Sequence, residues 1–289
     1  MLCNNNWVDF SWDGLPTRQK TENIQINIKR HARAIMDFHV ASDQVASEIY
    51  DSHKNLYLGF SGGSDSEYVA TCLKRNGIPF TPVIVKFNTA TTQDQNYEVW
   101  YALRWCRINH VQPLIVNIDD YVTSDHEKSV FQKVKPRLLG GQCMAGFLHK
   151  FVSERGGKFI SGYQIEYYPD HEQMTYLEPQ LGNYRGFVIQ ESDCYLEAIA
   201  PDQHPWAFFY WSPEIVASFV NAWNTNQNMC DNKARIYNIA PRPKFVYPNG
   251  FFPGKQWVIR RAIADNNFGS RDCVLLGDKK ELLDRLVTQ

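Results

Sequence analysis

This sequence predicts an α/β fold, a Rossmann-like parallel sheet with helices on both faces, on three observations. Short apolar runs alternate with helical patterns between residues 56 and 163. Runs such as "TPVIVKFN" and "PLIVNI" lack the polar alternation of a half-exposed strand, as burial on both faces requires. The first run, Leu56 to Phe60, passes directly into a helical pattern through the turn "SGGSDS", the connection a strand makes to a crossover helix.

Taken in order, apolar positions from Ile28 to Tyr50 recur at helical spacing and predict one long helix ahead of the glycine-rich turn. The strand at Leu56 to Phe60 is followed by a helix from Asp65 to Asn76, stopped by Gly77. A strand in "TPVIVKFN", a helix around Tyr97 to Ile108 and a strand in "PLIVNI" come next. A helix near Gly141 to Arg155 ends at Gly156 and Gly157, and "KFISGY" reads as a fourth strand. Residues 163 to 205 are irregular, with strand character only in "GFVIQESDCYLEAIA", read as a hairpin. In "WSPEIVASFVNAW", Ser212 is placed to cap a helix whose first position is Pro213. The tail segments "KQWVIRRAIADNNFG" and "KKELLDRLVTQ" read as two further helices. The expected division is therefore an N-terminal helical segment over 1–50, a nucleotide-binding core over 51–165 and an irregular C-terminal extension over 166–289 that completes a substrate pocket.

Composition narrows the function. With 289 residues, 44% of them hydrophobic, the chain can bury one large core or two small ones. Lys and Arg total 30 against 31 for Asp and Glu, so no overall field attracts a polyanion, and nucleic acid would need a local patch. The basic runs "KRHAR" and "KVKPR" permit such a patch without requiring it. Seven cysteines without a C-x-x-C pair suit neither a disulfide framework nor a zinc ribbon, and the eight histidines show no metal-ligand spacing. The expected compartment is the reducing cytoplasm. No run of about 18 apolar residues is present, so no membrane span is expected.

The turn itself narrows the chemistry. It lacks the lysine of a Walker loop and the G-x-G-x-x-G of a dinucleotide fingerprint. Ser61, Gly62, Gly63, Ser64, Asp65 and Ser66 instead place backbone N–H groups, two glycines and hydroxyls at the start of a helix, where an anion is favoured. Asp65 is repulsive to a polyphosphate unless a divalent cation lies between them, which implies Mg2+.

"GFSGGSDS" after a short apolar strand resembles the PP-loop of the ATP pyrophosphatase superfamily, whose pattern is S-G-G-x-D-S. That group includes NAD, GMP and asparagine synthetases, tRNA thiolation enzymes and phosphoadenylylsulfate reductases. The resemblance implies a HUP-type sheet whose loop grips the pyrophosphate of ATP while an acceptor oxygen attacks the α-phosphorus. It further implies Gly162 near the nucleotide and Glu166, with Asp170 as the alternative, as a second magnesium ligand in "SGYQIEYYPD". Phe87 and Asn88, at the end of the second strand, are implied neighbours of adenine. Because the loop has no cation, departing pyrophosphate needs one from elsewhere. Lys135, Arg137, Arg242, Lys244 and Lys255 are candidates, with Lys244 and Lys255 preferred. The expected catalytic set is thus Asp65, Ser61, Lys244 and Lys255, with ATP and Mg2+ as cofactors.

The reading that follows is an ATP-dependent adenylating enzyme acting on a small-molecule or nucleobase acceptor, with a separate protein as one source of nitrogen or sulfur. Two alternatives stay open. A phosphoadenylylsulfate reductase-like enzyme would use a C-terminal cysteine, although "RDCVLLG" around Cys273 departs from the Glu-Cys-Gly motif of those reductases. A non-catalytic adenine-nucleotide-binding module is the other. Cys143, within a helical stretch, reads as a buried small hydrophobe.

Overall fold

Four of the apolar runs pair into one parallel sheet. The computed structural model describes residues 2–4, 6–12, 24–86, 95–117, 140–168, 186–190, 204–240 and 273–287. By Cα proximity the chain divides into two compact units, Met1–Val45 with Tyr163–Arg242 and Gly269–Gln289, and Ala46–Gly162 with Pro243–Phe268. The second unit holds the parallel sheet. Its strands are β4 (Leu56–Gly59), β5 (Thr81–Lys86), β6 (Leu114–Asn117) and β7 (Lys158–Ile160), in the spatial order β6-β5-β4-β7. Leu58 lies opposite Pro82 on one side and Ile160 on the other, and Val83 lies opposite Leu114. Numbered within the sheet, the order is 3-2-1-4, that of a doubly wound fold whose direction of winding reverses between β4 and β7.

The crossover helices are α2 (Ser64–Arg75), α3 (Gln95–Asn109) and α4 (Gly140–Ser153). Alternate residues of each strand divide between them. Tyr57, Val83, Val85, Leu114, Val116 and Phe159 form one apolar cluster with Ala145, Leu148, Phe151 and Val152 of α4. On the opposite face Phe60 meets Trp105 of α3 edge-on, 5.3 Å between ring centres, and Trp105 Nε1 donates to Thr71 Oγ1 of α2 at 3.3 Å. The sheet is thus covered on both faces, which is why its strands are continuously apolar. Each side chain as deeply buried as Leu58, Ile84 or Phe159 contributes roughly 1.5–3 kcal/mol.

The first unit departs from the sequence expectation at its start. Residues 1–50 are not a helical segment. They open with an antiparallel sheet of β1 (Leu2–Asn4), β2 (Val8–Trp12) and β3 (Ile24–Ile28), and the helix expected from Ile28 begins only at Phe38, as α1 (Phe38–Ser52). The reason lies in the pairing of V-D-F-S-W with I-Q-I-N-I, where Val8 and Phe10 lie opposite Ile28 and Ile26 and alternate with polar residues. Residues 1–45 also share a compact unit with C-terminal residues instead of standing apart. Lys29 pairs with Asp9 at 2.8 Å, Arg30 with Glu214 at 2.7 Å, and Trp7 Nε1 donates to the Tyr210 carbonyl.

The second antiparallel sheet of this unit joins β8 (Glu166–Tyr168), β9 (Gly186–Gln190) and β10 (Cys273–Gly277). β9 was expected to lead a hairpin with the residues that follow it. Instead it lies between β10 and β8, because its buried Phe187, Val188 and Ile189 need neighbours on both edges and both faces. Helix α5 (Pro213–Ala222) starts as the sequence indicates, with Ser212 accepting from the Ile215 amide. Beyond the N-terminal sheet, strands β8 and β10 and helix α6 (Met229–Tyr237), capped by Asn228, were not anticipated. Of the two tail helices, α7 (Lys279–Leu286) is present with a capping box between Asp278 and Glu281, and the one expected at residues 255–269 lies outside the described residues.

Candidate functional site

The glycine-rich turn sits at the carboxyl end of β4, beside the point where the sheet reverses its winding. Phe60 anchors its entrance: the ring is buried and the amide donates to the Val83 carbonyl at 2.8 Å. Gly62 then takes φ +85, a conformation that costs an L side chain about 1–2 kcal/mol. Gly63 is the N-cap of α2, at φ −70 and ψ 163, and as a glycine it supplies no side-chain cap. It is therefore Gly62, not Gly63, that needs positive φ. A Cβ placed on Gly63 would meet only Ser61 Oγ, at 3.4 Å, an ordinary contact.

The first turn of α2 carries Asp65 and Glu67, and the last carries Lys74 and Arg75, each sign complementing the helix dipole. Asp65 is half-buried and Ser66 only 4% exposed. Two serine hydroxyls and the Gly63 backbone bond with one another. Gly63 N–H donates to Ser61 Oγ at 3.2 Å, Ser66 Oγ donates to the Gly63 carbonyl at 3.1 Å, and the two hydroxyl oxygens lie 3.2 Å apart.

The strand on the other side of the reversal brings a third glycine to the loop. Gly162 follows β7, and a Cβ there would lie 2.9 Å from Ser66 N, 3.0 Å from Ser66 Cα and 3.1 Å from the Asp65 carbonyl carbon. Only glycine allows this approach of two backbones. Ser161, directly before it, was not singled out in the sequence; it is 8% exposed, and its hydroxyl is buried without a hydrogen-bond partner.

No protein-family model matches the chain, and no curated protein does. Among solved structures it is similar to an NH3-dependent NAD synthetase from Campylobacter jejuni, at 17% identity and a TM-score of 0.32, over 45% of this chain and 58% of that one. An NMN synthetase from Francisella tularensis is similar at 17% identity and a TM-score of 0.30, over 41% of this chain and 51% of that one. These likenesses span little more than half the length of either protein. The U34-tRNA thiolase NcsA from Methanococcus maripaludis, with its 4Fe–4S cluster, is similar at 16% identity and a TM-score of 0.40, over 85% of this chain and 77% of that one. The motif and the strand order stand on this chain's own residues.

The chain carries the S-G-G-x-D-S pattern of a PP-loop at the end of a strand in a Rossmann-like parallel sheet.

Of the residues expected at the site, the structure brings together Ser61 to Ser66 and Gly162. Glu166 opens β8 opposite Val188 and belongs to the other compact unit. Phe87, Asn88, Lys244 and Lys255 lie outside the described residues, as do Asp170, Lys135, Arg137 and Arg242. Cys143 falls within α4 and Cys273 opens β10. Among the described residues, no three His, Cys, Asp or Glu side chains converge as a metal cage, and no helix is long and apolar enough to cross a membrane. A single carboxylate at the PP-loop still suits magnesium, which is held by one or two carboxylates together with substrate phosphates. Burial pushes the Cys106 thiol of α3 up to about 11, so it is protonated at neutral pH.

Proposed function

We propose that this chain is an ATP-dependent adenylating enzyme of the PP-loop type. An acceptor oxygen attacks the α-phosphorus of ATP, the bond from that phosphorus to the bridging oxygen breaks, and the electron pair leaves on pyrophosphate. The adenylated acceptor then loses AMP to a nucleophile. The observation that carries this reading is the PP-loop geometry: positive φ at Gly62, an N-cap at Gly63 without a side chain and the first turn of α2 meet at the reversal point of the sheet.

Each residue has a role in this proposal. Backbone amides of the loop receive the pyrophosphate half of ATP, and Ser61 and Ser66 shape the turn around it. Asp65 is the carboxylate that would hold magnesium. Magnesium, when bound, neutralises charge on the phosphates. Lys244 and Lys255 offset the charge of departing pyrophosphate, while Phe87 and Asn88 flank adenine. The protein contributes positioning and charge stabilisation, with no covalent intermediate on the chain. The acceptor is a small molecule or a nucleobase, and the incoming nitrogen or sulfur comes free or from a separate donor protein. The thiols of Cys72, Cys106 and Cys230, none of them in a disulfide, suit a reducing, cytoplasmic setting.

The test is pyrophosphate release with Mg-ATP, alongside mass spectrometry of small molecules carried by the purified protein. An adenine nucleotide among them, and release that falls in Asp65→Asn, support adenylation. Binding of ATP without release under any acceptor would favour the non-catalytic module. Release unaffected by Asp65→Asn would remove the PP-loop from the chemistry.

A further inference from the structure

The two serines of the PP-loop differ in what they are free to do. A hydroxyl has one proton. Ser66 has committed its proton to the Gly63 carbonyl, which can only accept, so Ser61 is the donor in the pair of hydroxyls 3.2 Å apart. Ser61 in turn accepts from Gly63 N–H. The result is a closed ring that begins and ends on Gly63: amide to Ser61, Ser61 to Ser66, Ser66 to carbonyl. In this state neither serine has a proton to offer a phosphate, and the Gly63 amide already has an acceptor.

The members of the ring are unequal. Ser66 is 4% exposed and lies where Gly162 closes on it, whereas Ser61 is exposed. Both O–H···O links, at 3.2 and 3.1 Å, are longer than an ordinary bond of about 2.5–3.0 Å, and the one that an arriving ligand can reach is the one that starts on exposed Ser61.

We propose that Ser61 is the loop's own stand-in for a phosphate oxygen. Its Oγ caps the Gly63 amide while the site is empty and rotates away when an anion arrives, while Ser66 keeps its bond to the Gly63 carbonyl throughout. The rotation presents two donors outward together, the Gly63 N–H and the Ser61 hydroxyl. It exchanges internal bonds for bonds to the ligand, so the loop is satisfied in both states. This deepens the nucleotide reading above and rests on it for the identity of the anion.

The experiment is amide hydrogen exchange at Gly63, measured by NMR on the full chain for wild type, Ser61→Ala and Ser61→Thr. Each is measured with and without magnesium pyrophosphate, at saturation set by calorimetry. Without ligand, Ser61→Ala exchanges at Gly63 tenfold or more faster than wild type, and Ser61→Thr, which keeps the hydroxyl, exchanges like wild type. Pyrophosphate returns Ser61→Ala to near the wild-type rate, because the anion takes the acceptor position. Unchanged exchange in Ser61→Ala would overturn the cap. Raised exchange that stays raised with pyrophosphate bound would overturn the exchange of partners, leaving nucleotide binding intact. Wild type that binds neither pyrophosphate nor ATP would instead overturn the nucleotide reading, and the displacement with it, whatever the exchange rates without ligand.

Discussion

Replacing Gly162 by alanine tests whether the reversal point of the sheet is as tight as it looks. The added Cβ would lie 2.9 Å from Ser66 N, 3.0 Å from Ser66 Cα and 3.1 Å from the Asp65 carbonyl carbon. Ordinary contact begins at 3.4 Å, so the nearest atom must retreat by 3.4 minus 2.9, or about 0.5 Å. All three atoms are backbone in the first turn of α2, and no flexible side chain can absorb the change. Overpacking of this kind costs about 1–3 kcal/mol. At roughly 2–4 °C per kcal/mol, Gly162→Ala should melt roughly 2–12 °C below wild type. The same displacement moves the loop's amides, so ATP affinity should fall together with the melting temperature. Thermal melts and ATP titration read both. Gly63→Ala is the comparison: φ there is −70 and the new Cβ meets only Ser61 Oγ at 3.4 Å, so it should melt like wild type. If Gly162→Ala also melts like wild type and binds ATP equally well, the close approach does not hold the loop and the reasoning is wrong.

Four further outcomes are expected. Asp65→Asn should retain its melting temperature and lose roughly a hundredfold in pyrophosphate release, in line with removal of a group acting on transition-state charge; a loss below fivefold would take Asp65 out of the chemistry. Ser161→Ala should be neutral or slightly stabilising in a thermal melt, because the hydroxyl it removes is buried without a partner; destabilisation by 2 kcal/mol or about that size would show that the group is satisfied in solution. Burial pushes the Glu214 carboxyl up, but backbone hydrogen bonds and the Arg30 guanidinium outweigh it and the net shift is downward. Its stabilisation is therefore present above the ordinary carboxylate range and lost as pH falls through the lowered value, so Glu214→Gln should narrow the difference in melting temperature between about pH 7 and about pH 3. A maleimide should label exposed Cys230 well before buried Cys72 or Cys106 in the native protein, and comparable labelling of Cys106 would contradict its burial and raised pKa.

Much of the second unit was legible because its signals are local. The run Leu56 to Phe60, the helix stop at Gly77 and the apolar stretches of β5 and β6 each announce themselves within a few residues. Ser212 and Pro213 did the same for α5. The N-terminal sheet was missed although its alternation is plain in V-D-F-S-W and I-Q-I-N-I, because its strands are only three to five residues long and lie among polar residues. β10 was missed for a different reason: "CVLLG" is too short to distinguish a strand from the start of the helix that follows.

What the sequence determined by itself is the strand, turn and helix from Leu56 to Arg75 and the kind of ligand such a turn can hold. Those depend on apolar periodicity, on a glycine at the one position that needs positive φ, and on a helix start whose N-cap glycine supplies no side chain, all within one short segment. Tertiary structure decided that Gly162 comes to lie against Ser66, that β9 takes its place between β8 and β10, and that the Ser61 and Ser66 hydroxyls close a ring on Gly63. None of these has a local signal, since each depends on which faces and edges meet across long stretches of chain. A glycine required for close approach looks in sequence like a glycine required for nothing, until the backbone it must admit has been brought beside it.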